Sequence, residues 1–219
     1  MSEPAPAVRQ APRGRRVTVA LAVVIVILAG VFVALRATGS DRPGSDSPEA
    51  GFARDMSTHH AQAVEMSFIV RDRTKDAATR LLAYDIINTQ RAQIGMMTAW
   101  LDDWGLPQAD PAGRMRWMSG HAGHSGTAAP AAADGAIMPG MATRTQLAEL
   151  GRLSGKDAEV LYLRLMIAHH RAGVDMAQAA LTLSRRAQVR RLAQTMVDGQ
   201  KSEIDLMNKM LAERGAAAR

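Results

Sequence analysis

The 219-residue chain contains no cysteine, so disulfides, thiolate metal sites and cysteine nucleophiles are excluded. Aromatic residues are also scarce, at 4% of the composition. This scarcity favours helix packing over β-sheet, because strands are usually rich in aromatic and β-branched side chains. Neither a glycine-rich phosphate loop nor a nucleophile–base–acid set occurs in the sequence. We therefore expect a protein that is not an enzyme, with redox activity at a bound metal left open.

Positive charge is concentrated at the N-terminus of a chain whose formal net charge is +6. Four arginines precede residue 17, but no basic face with base-stacking aromatics accompanies them, so a nucleic-acid partner is not expected. Residues 17–35 then run for 19 residues without a charge, which is about the shortest helix that crosses a bilayer core. The positive-inside rule predicts a single-pass anchor with a cytoplasmic N-terminus and the rest of the chain in the periplasmic or extracellular space. A cleaved signal peptide is the alternative, although its apolar region would normally be shorter, about 7–15 residues.

Composition and helix-start signals divide the chain into four parts. Ser47-Pro48-Glu49 is typical of a helix start, because serine caps the first turn and proline suits the first helical position. The predicted parts are a basic N-terminus over 1–16, a transmembrane helix over 17–35, a linker over 36–47 and a helical domain over 48–214. Within the helical domain, the predicted order is a hairpin over 48–104, a Met- and His-containing connection over 105–142, a short helix over 143–153 and a second hairpin over 154–214.

The helical domain contains an internal repeat with an offset of 110 residues. The signature Met-x-x-His-His occurs at residues 56–60 and again at residues 166–170, and matches continue in the same register along the following helices. Apolar residues recur at alternating spacings of three and four, which is typical of antiparallel bundles with knobs-into-holes packing. Thr74 and Ser184 are predicted to be the N-caps of the returning helices. The sequence therefore predicts an all-α fold, a four-helix bundle built from a duplicated helical hairpin.

The repeated signature brings imidazole and thioether groups to the predicted interior. Antiparallel pairing about turns near residues 73 and 183 places two glutamines level with the signatures, in one polar layer of the bundle. The candidate metal ligands are Met56, His59, His60, Met166, His169 and His170. Supporting candidates are Gln90, Gln200, Met66, Met176, His121 and His124. Because Glu-x-x-His, the motif of di-iron bundles, does not occur, this ligand set favours copper, with zinc bound by histidine as the alternative.

A polar layer of this kind also has an explanation that needs no metal. Buried histidines and glutamines that hydrogen-bond one another would fix the packing register of the helices. The connection over 105–142 carries methionines and histidines of its own, and an auxiliary role in capturing metal ions is a further hypothesis. That role requires the end of the second long helix and the start of the third to lie at one pole, two to three turns from Met56 and His59.

The first repeat resembles a known bacterial family. The pattern Phe52-x-x-Asp55-Met56-x-x-His59-His60-x-x-Ala63-x-x-Met66, followed by Gln90-x-x-Gln93-Ile94-x-x-Met97-x-x-Trp100-Leu101, is similar to that of the family known as domain of unknown function 305. The resemblance covers about residues 50–212. It implies a ferritin-like helical fold, an exported protein, a link to copper binding and tolerance in some members, and no established enzyme activity.

Two positions of the second repeat depart from this pattern. Gly173 stands at the position of Ala63, and Leu165 stands at the position of Asp55. An aspartate that orients the first histidine by contacting the ring on the side away from the metal would therefore have no counterpart in the second repeat.

These observations predict a membrane-anchored, extracytoplasmic protein that binds copper through a Met/His layer, for sequestration, tolerance or delivery. Its expected partners are the metal ion and the membrane, and no protein partner is indicated. The alternative function is a non-metal helical interaction module, whose buried His/Gln layer only sets the packing register.

Overall fold

The computed structural model describes residue 18 and residues 21–32, 42–110, 112–119 and 134–217. The chain divides into two compact units, Met1–Arg42 and Pro43–Arg219, and each is described by itself.

In the first unit, residues 21–32 form a helix with exposed apolar side chains. Across the described parts of the chain, no helix has the length and apolar character needed to span a membrane. The predicted transmembrane helix over 17–35, and with it the single-pass membrane localisation, is therefore wrong.

The second unit is all-helical, as the sequence predicts, and no strand occurs among its described residues. Its α-helices are α1 (Pro48–Arg73), α2 (Ala77–Trp104), α3 (Arg144–Arg152), α4 (Gly155–Leu183) and α5 (Ala187–Glu213). A 3-10 turn, Arg116–Met118, lies between α2 and α3.

The turn of each hairpin is closed by a hydroxyl group. Thr74 is the C-cap of α1, not the predicted N-cap of the next helix, and its hydroxyl oxygen accepts the Asp76 N–H at 2.9 Å. Asp76 is the N-cap of α2, and its carboxylate accepts the Thr79 N–H at 2.7 Å. Ser184 occupies the equivalent place after α4 and accepts the Arg186 N–H at 3.1 Å. The two hydroxyl groups therefore stabilise the turns from the end of the preceding helix and do not cap the start of the next one.

The two hairpins pack against each other mainly through their first helices, α1 and α4. Near the start of α1, Glu49 accepts the Ser184 hydroxyl at 2.8 Å, just beyond the end of α4. Near the start of α4, Glu159 accepts the Thr74 hydroxyl, just beyond the end of α1. Each first helix therefore begins where the other ends, so α1 and α4 are antiparallel.

The connection between the hairpins runs from one end of this unit to the other. It leaves α2 beside the first turns of α1, where the Arg54 guanidinium donates to the Pro107 carbonyl at 2.8 Å. It enters α4 at the opposite end, beside the end of α1. The expectation that both ends of the connection lie at one pole is therefore wrong, because antiparallel α1 and α4 put them at opposite poles.

Part of this connection, residues 138–142, crosses the interface between α1 and α4, and we call it the crossing segment. On α1, the buried Gln62 amide accepts the Ala142 N–H at 2.7 Å and donates to the Ala142 carbonyl at 2.9 Å. On α4, Gly140 (φ +73°) comes so close that a Cβ atom there would lie 2.5 Å from the Cβ of Ala172. Ala172 is the repeat counterpart of Gln62, so one helix holds the segment by hydrogen bonds and the other leaves room for it.

Candidate metal centre

The histidine pairs of the two signatures meet at the interface between α1 and α4. His59, His60, His169 and His170 are all fully buried, and we call them the histidine layer. The rings of His59 and His169 stack with centroids 3.6 Å apart and planes inclined by 26°. Antiparallel packing of two equivalent helices accounts for this arrangement, because it brings equal positions of the repeats face to face.

The signature methionines lie on opposite sides of this layer. Met56 and Met166 are both fully buried, but they belong to two separate core clusters. Met56 shares its cluster with Met176, and Met166 shares the other with Met66. Since α1 and α4 are antiparallel, the residue that precedes the histidines on one helix faces away from its counterpart on the other. The structure thus separates two methionines that the sequence places in one layer.

Equivalent hydrogen bonds hold the second histidine of each signature. His60 Nε2 lies 2.7 Å from Gln93 Oε1, and His170 Nε2 lies 2.7 Å from Glu203 Oε2. A carboxylate and an amide oxygen only accept, so each Nε2 carries the hydrogen and donates. A neutral imidazole with hydrogen on Nε2 keeps its lone pair on Nδ1. Gln93 and Glu203 are not among the site residues that the sequence predicts, although each follows its histidine by the same 33 residues.

Several buried polar atoms of the layer have no hydrogen-bond partner among the described residues. His169 Nε2 donates to the His59 carbonyl at 3.0 Å, so its Nδ1 also holds a lone pair. The unpartnered atoms are Nδ1 of His60, His169 and His170, both ring nitrogens of His59, and Oε1 of Gln90 and Gln200. Each such atom costs about 1–3 kcal/mol when it stays unpaired. A cation bound to the free lone pairs of these rings would remove much of that cost, so the imidazole donors fit a soft metal ion.

Burial keeps the imidazoles of His59, His60 and His169 neutral. Loss of solvation lowers the pKa of His60 to about 3, although its hydrogen bond to Gln93 acts in the opposite direction. Burial also holds the pKa of His59 and His169 well below the ordinary value, and the neighbouring histidines lower both further. The backbone carbonyl of Pro139, in the crossing segment, lies near enough to His59 to oppose this effect in part, although it is outside hydrogen-bond geometry. At neutral pH these three rings therefore offer lone pairs rather than positive charge.

The geometry limits how many imidazoles can share one ion. In the part of the chain that the structure describes, no group of three or more histidine or carboxylate side chains is placed to hold a metal ion. Thioether sulfur is the other soft donor that the signatures carry. Met56 and Met166 each precede the second histidine of their signature by four residues, a spacing at which helical side chains are neighbours.

Gly173 explains one of the departures between the repeats. A Cβ atom at this position would lie 2.3 Å from Gln200 Oε1, so the missing side chain makes room for the glutamine. Gln90 and Gln200 are both buried beside the layer. Gly173 therefore replaces the alanine of the first repeat at a position where α5 brings the Gln200 side chain too close for a Cβ atom.

Asp55 does not orient a histidine. Its carboxylate accepts the Met115 N–H at 2.7 Å and the Trp117 indole N–H at 3.0 Å. Burial raises the pKa of Asp55, while these hydrogen bonds and the Arg114 guanidinium act against the rise. Asp55 therefore anchors the connection on α1, and Leu165 needs no such role on α4.

The remaining candidates belong to the connection. His121 and His124 lie outside the described residues. Met118 and Met138 are buried and Met141 is half-buried, which is the behaviour of side chains that pack against the helices rather than extend into solvent.

An all-helical fold in which two hairpins meet at paired, buried histidines defines the class of protein. The chain belongs to the family called domain of unknown function 305 (DUF305), whose sequence profile matches residues 49–211. The resemblance noted in the sequence is thereby confirmed. Among functionally curated proteins, none matches this chain.

Solved structures of the same fold come from several proteins. A DUF305 protein from Streptomyces coelicolor, described as a candidate secreted protein, is 50% identical, with 80% of this chain and 99% of that chain covered and a TM-score of 0.72. A DUF305 fragment from Deinococcus radiodurans is 32% identical, with 76% and 96% covered and a TM-score of 0.60. CopM in its Cu(I)-bound form is 20% identical, with 76% and 96% covered and a TM-score of 0.56. CopM has also been solved with Cu(II), with Ag and in the apo form, and at this identity it shows the fold alone.

Proposed function

We propose that this protein binds a copper ion at the histidine layer, for sequestration or delivery rather than for catalysis. In this proposal the two hairpins form a ferritin-like four-helix bundle whose interior holds the ion. The observation that carries the proposal is the set of unpartnered imidazole nitrogens, fully buried at the α1–α4 interface. Unsatisfied groups of this kind are rare inside folded proteins and call for a ligand.

The proposed ligands are imidazole nitrogen from the histidine layer and thioether sulfur from Met56 or Met166. Sulfur and imidazole together suit Cu(I), and imidazole also suits Cu(II). Gln93 and Glu203 support the site by holding His60 and His170 through Nε2, so that each Nδ1 stays available. The Cu- and Ag-bound forms of CopM support the idea that this fold accommodates such ions.

A competition titration with a Cu(I) chelator tests the proposal. We expect His60→Ala combined with His170→Ala to weaken Cu(I) binding at least tenfold, about 1.4 kcal/mol or more, because two lone pairs are lost. The matched control is Met97→Leu combined with Met207→Leu. These buried methionines lie seven residues, about two turns, beyond Gln90 and Gln200, so the control should bind as the wild type does.

Circular dichroism on the same proteins separates binding from folding. If the histidine variant binds Cu(I) as tightly as the wild type and only its melting temperature falls, the layer sets packing register and binds no metal. That outcome would favour a helical interaction module.

A further inference from the structure

The two halves of the histidine layer differ by one negative charge. Gln93 on α2 and Glu203 on α5 are repeat counterparts, and each places an oxygen 2.7 Å from Nε2 of its histidine. The geometry is the same, but one acceptor is a neutral amide and the other a carboxylate. The Glu203 side chain is 25% exposed, whereas that of His170 is fully buried.

The other groups that face the layer are neutral or engaged elsewhere. A methionine sulfur carries no charge, and neither does an imidazole that keeps its hydrogen on Nε2 and binds a metal ion through Nδ1. The Asp55 carboxylate is bound to Met115 and Trp117. Among the described residues, Glu203 is thus the carboxylate in direct contact with the histidine layer.

We propose that the Gln93/Glu203 pair makes the layer selective for the charge of the bound cation. The inference rests on the proposed function. With one carboxylate beside neutral ligands, a singly charged soft cation such as Cu(I) leaves the site without net charge. A doubly charged cation leaves one uncompensated positive charge in a buried place, which is costly.

The physical basis is that a carboxylate attracts a doubly charged ion twice as strongly as a singly charged ion at the same distance. A second carboxylate would therefore favour divalent ions, and the loss of Glu203 would disfavour them. Because the Gln93 amide is neutral, it adds no second negative charge, but it still accepts the hydrogen bond that holds His60. Selectivity is set by the number of carboxylates, and their position in one hairpin or the other matters less.

The experiment uses the full chain and three variants that keep the side-chain shapes: Gln93→Glu, Glu203→Gln and the double exchange. Affinities for Cu(I) and for Zn(II) are measured by chelator competition under anaerobic, reducing conditions. We expect Gln93→Glu to strengthen Zn(II) binding about tenfold and Cu(I) binding about threefold. Glu203→Gln should weaken them by the same factors, and the double exchange should restore the wild-type ratio of the two affinities.

The possible results separate the two proposals. If the wild type binds Cu(I) but all proteins share one Zn(II)-to-Cu(I) affinity ratio, the charge inference is overturned alone. If the double exchange keeps the ratio of a single variant, position rather than charge is responsible, and the inference also fails. If the wild type binds neither ion, the proposed function fails and the inference with it. Should Gln93→Glu not fold by circular dichroism, the ratio for Glu203→Gln decides by itself.

Discussion

Among single residues, the hydrogen-bond partners of the histidines decide which ring nitrogen is free. Gln93 and Glu203 take the Nε2 hydrogens of His60 and His170, and the helix backbone takes that of His169. In each of these rings the lone pair therefore lies on the buried Nδ1. A ligand site that depends on tautomer is set by these second contacts as much as by the histidines themselves.

The low histidine pKa values make the metal-free protein sensitive to acid. Below the ordinary pKa of about 6.5, the unfolded chain binds protons that His59, His60 and His169 do not accept while buried. The free energy of unfolding should therefore be level above pH 7 and decrease as the pH falls below 6.5, towards the His60 pKa of about 3. Each buried histidine contributes up to about 1.4 kcal/mol per pH unit in this window.

Urea unfolding in the presence of a chelator, between pH 7.5 and pH 5, measures this effect. The variant His60→Gln should show a smaller dependence, because one titrating group is absent. Equal stability at both ends of that range would contradict the account of neutral, buried imidazoles.

The sequence was sufficient to propose the metal ligands, but not the residues that form hydrogen bonds with them. The doubled Met-x-x-His-His signature is visible by inspection, because identical residues recur at one offset. The roles of Gln93 and Glu203 depend on the rotation of α2 and α5 about their axes, which the apolar spacing fixes only to within about one residue. Their equal distance from His60 and His170 is a signal that could have identified them.

Among the elements, the crossing segment is the part of the fold that joins the hairpins over the histidine layer. Gln62 makes both hydrogen bonds of the Ala142 peptide groups inside the protein. Gln62→Glu keeps the acceptor for the Ala142 N–H but removes the donor for its carbonyl. We expect a loss of about 1–3 kcal/mol in the free energy of unfolding and faster hydrogen exchange of the Ala142 amide.

Gln178→Glu is the matched control for this variant, because Gln178 is exposed on α4. It should change the free energy of unfolding by less than about 0.5 kcal/mol. If both variants behave alike, the crossing segment is not held by Gln62.

The helices themselves were predictable, whereas the path of the connection was not. The apolar spacing and the capping signals indicate where helices form, and the all-helical fold is confirmed. The order of neighbours around the helices is decided by long-range contacts, such as those of Gln62 with Ala142 and of Arg54 with Pro107. Local sequence pattern carries no information about such pairs.

For the second unit as a whole, two reciprocal contacts tie the hairpins together. Glu49 binds Ser184 and Arg185 beyond the end of α4, and Glu159 binds Thr74 beyond the end of α1. Glu49 and Glu159 are repeat counterparts, so one interaction is used twice, once at each pole. This arrangement makes α1 and α4 antiparallel and thereby brings the two histidine pairs together at mid-length.

The antiparallel arrangement also explains why the methionines flank the layer from both sides. Equivalent positions that precede the histidines must point to opposite poles, so one sulfur-bearing cluster lies on each side. An ion bound as we propose would therefore have sulfur on either side of it and imidazole only at the centre.

X-ray absorption spectroscopy of the Cu(I)-loaded protein tests this account most directly. We predict a first coordination shell with both imidazole nitrogen and thioether sulfur, and we expect the sulfur contribution to disappear in Met56→Leu combined with Met166→Leu. A shell of light atoms without imidazole scattering, or a sulfur shell unchanged in that double variant, would contradict a copper site at the histidine layer.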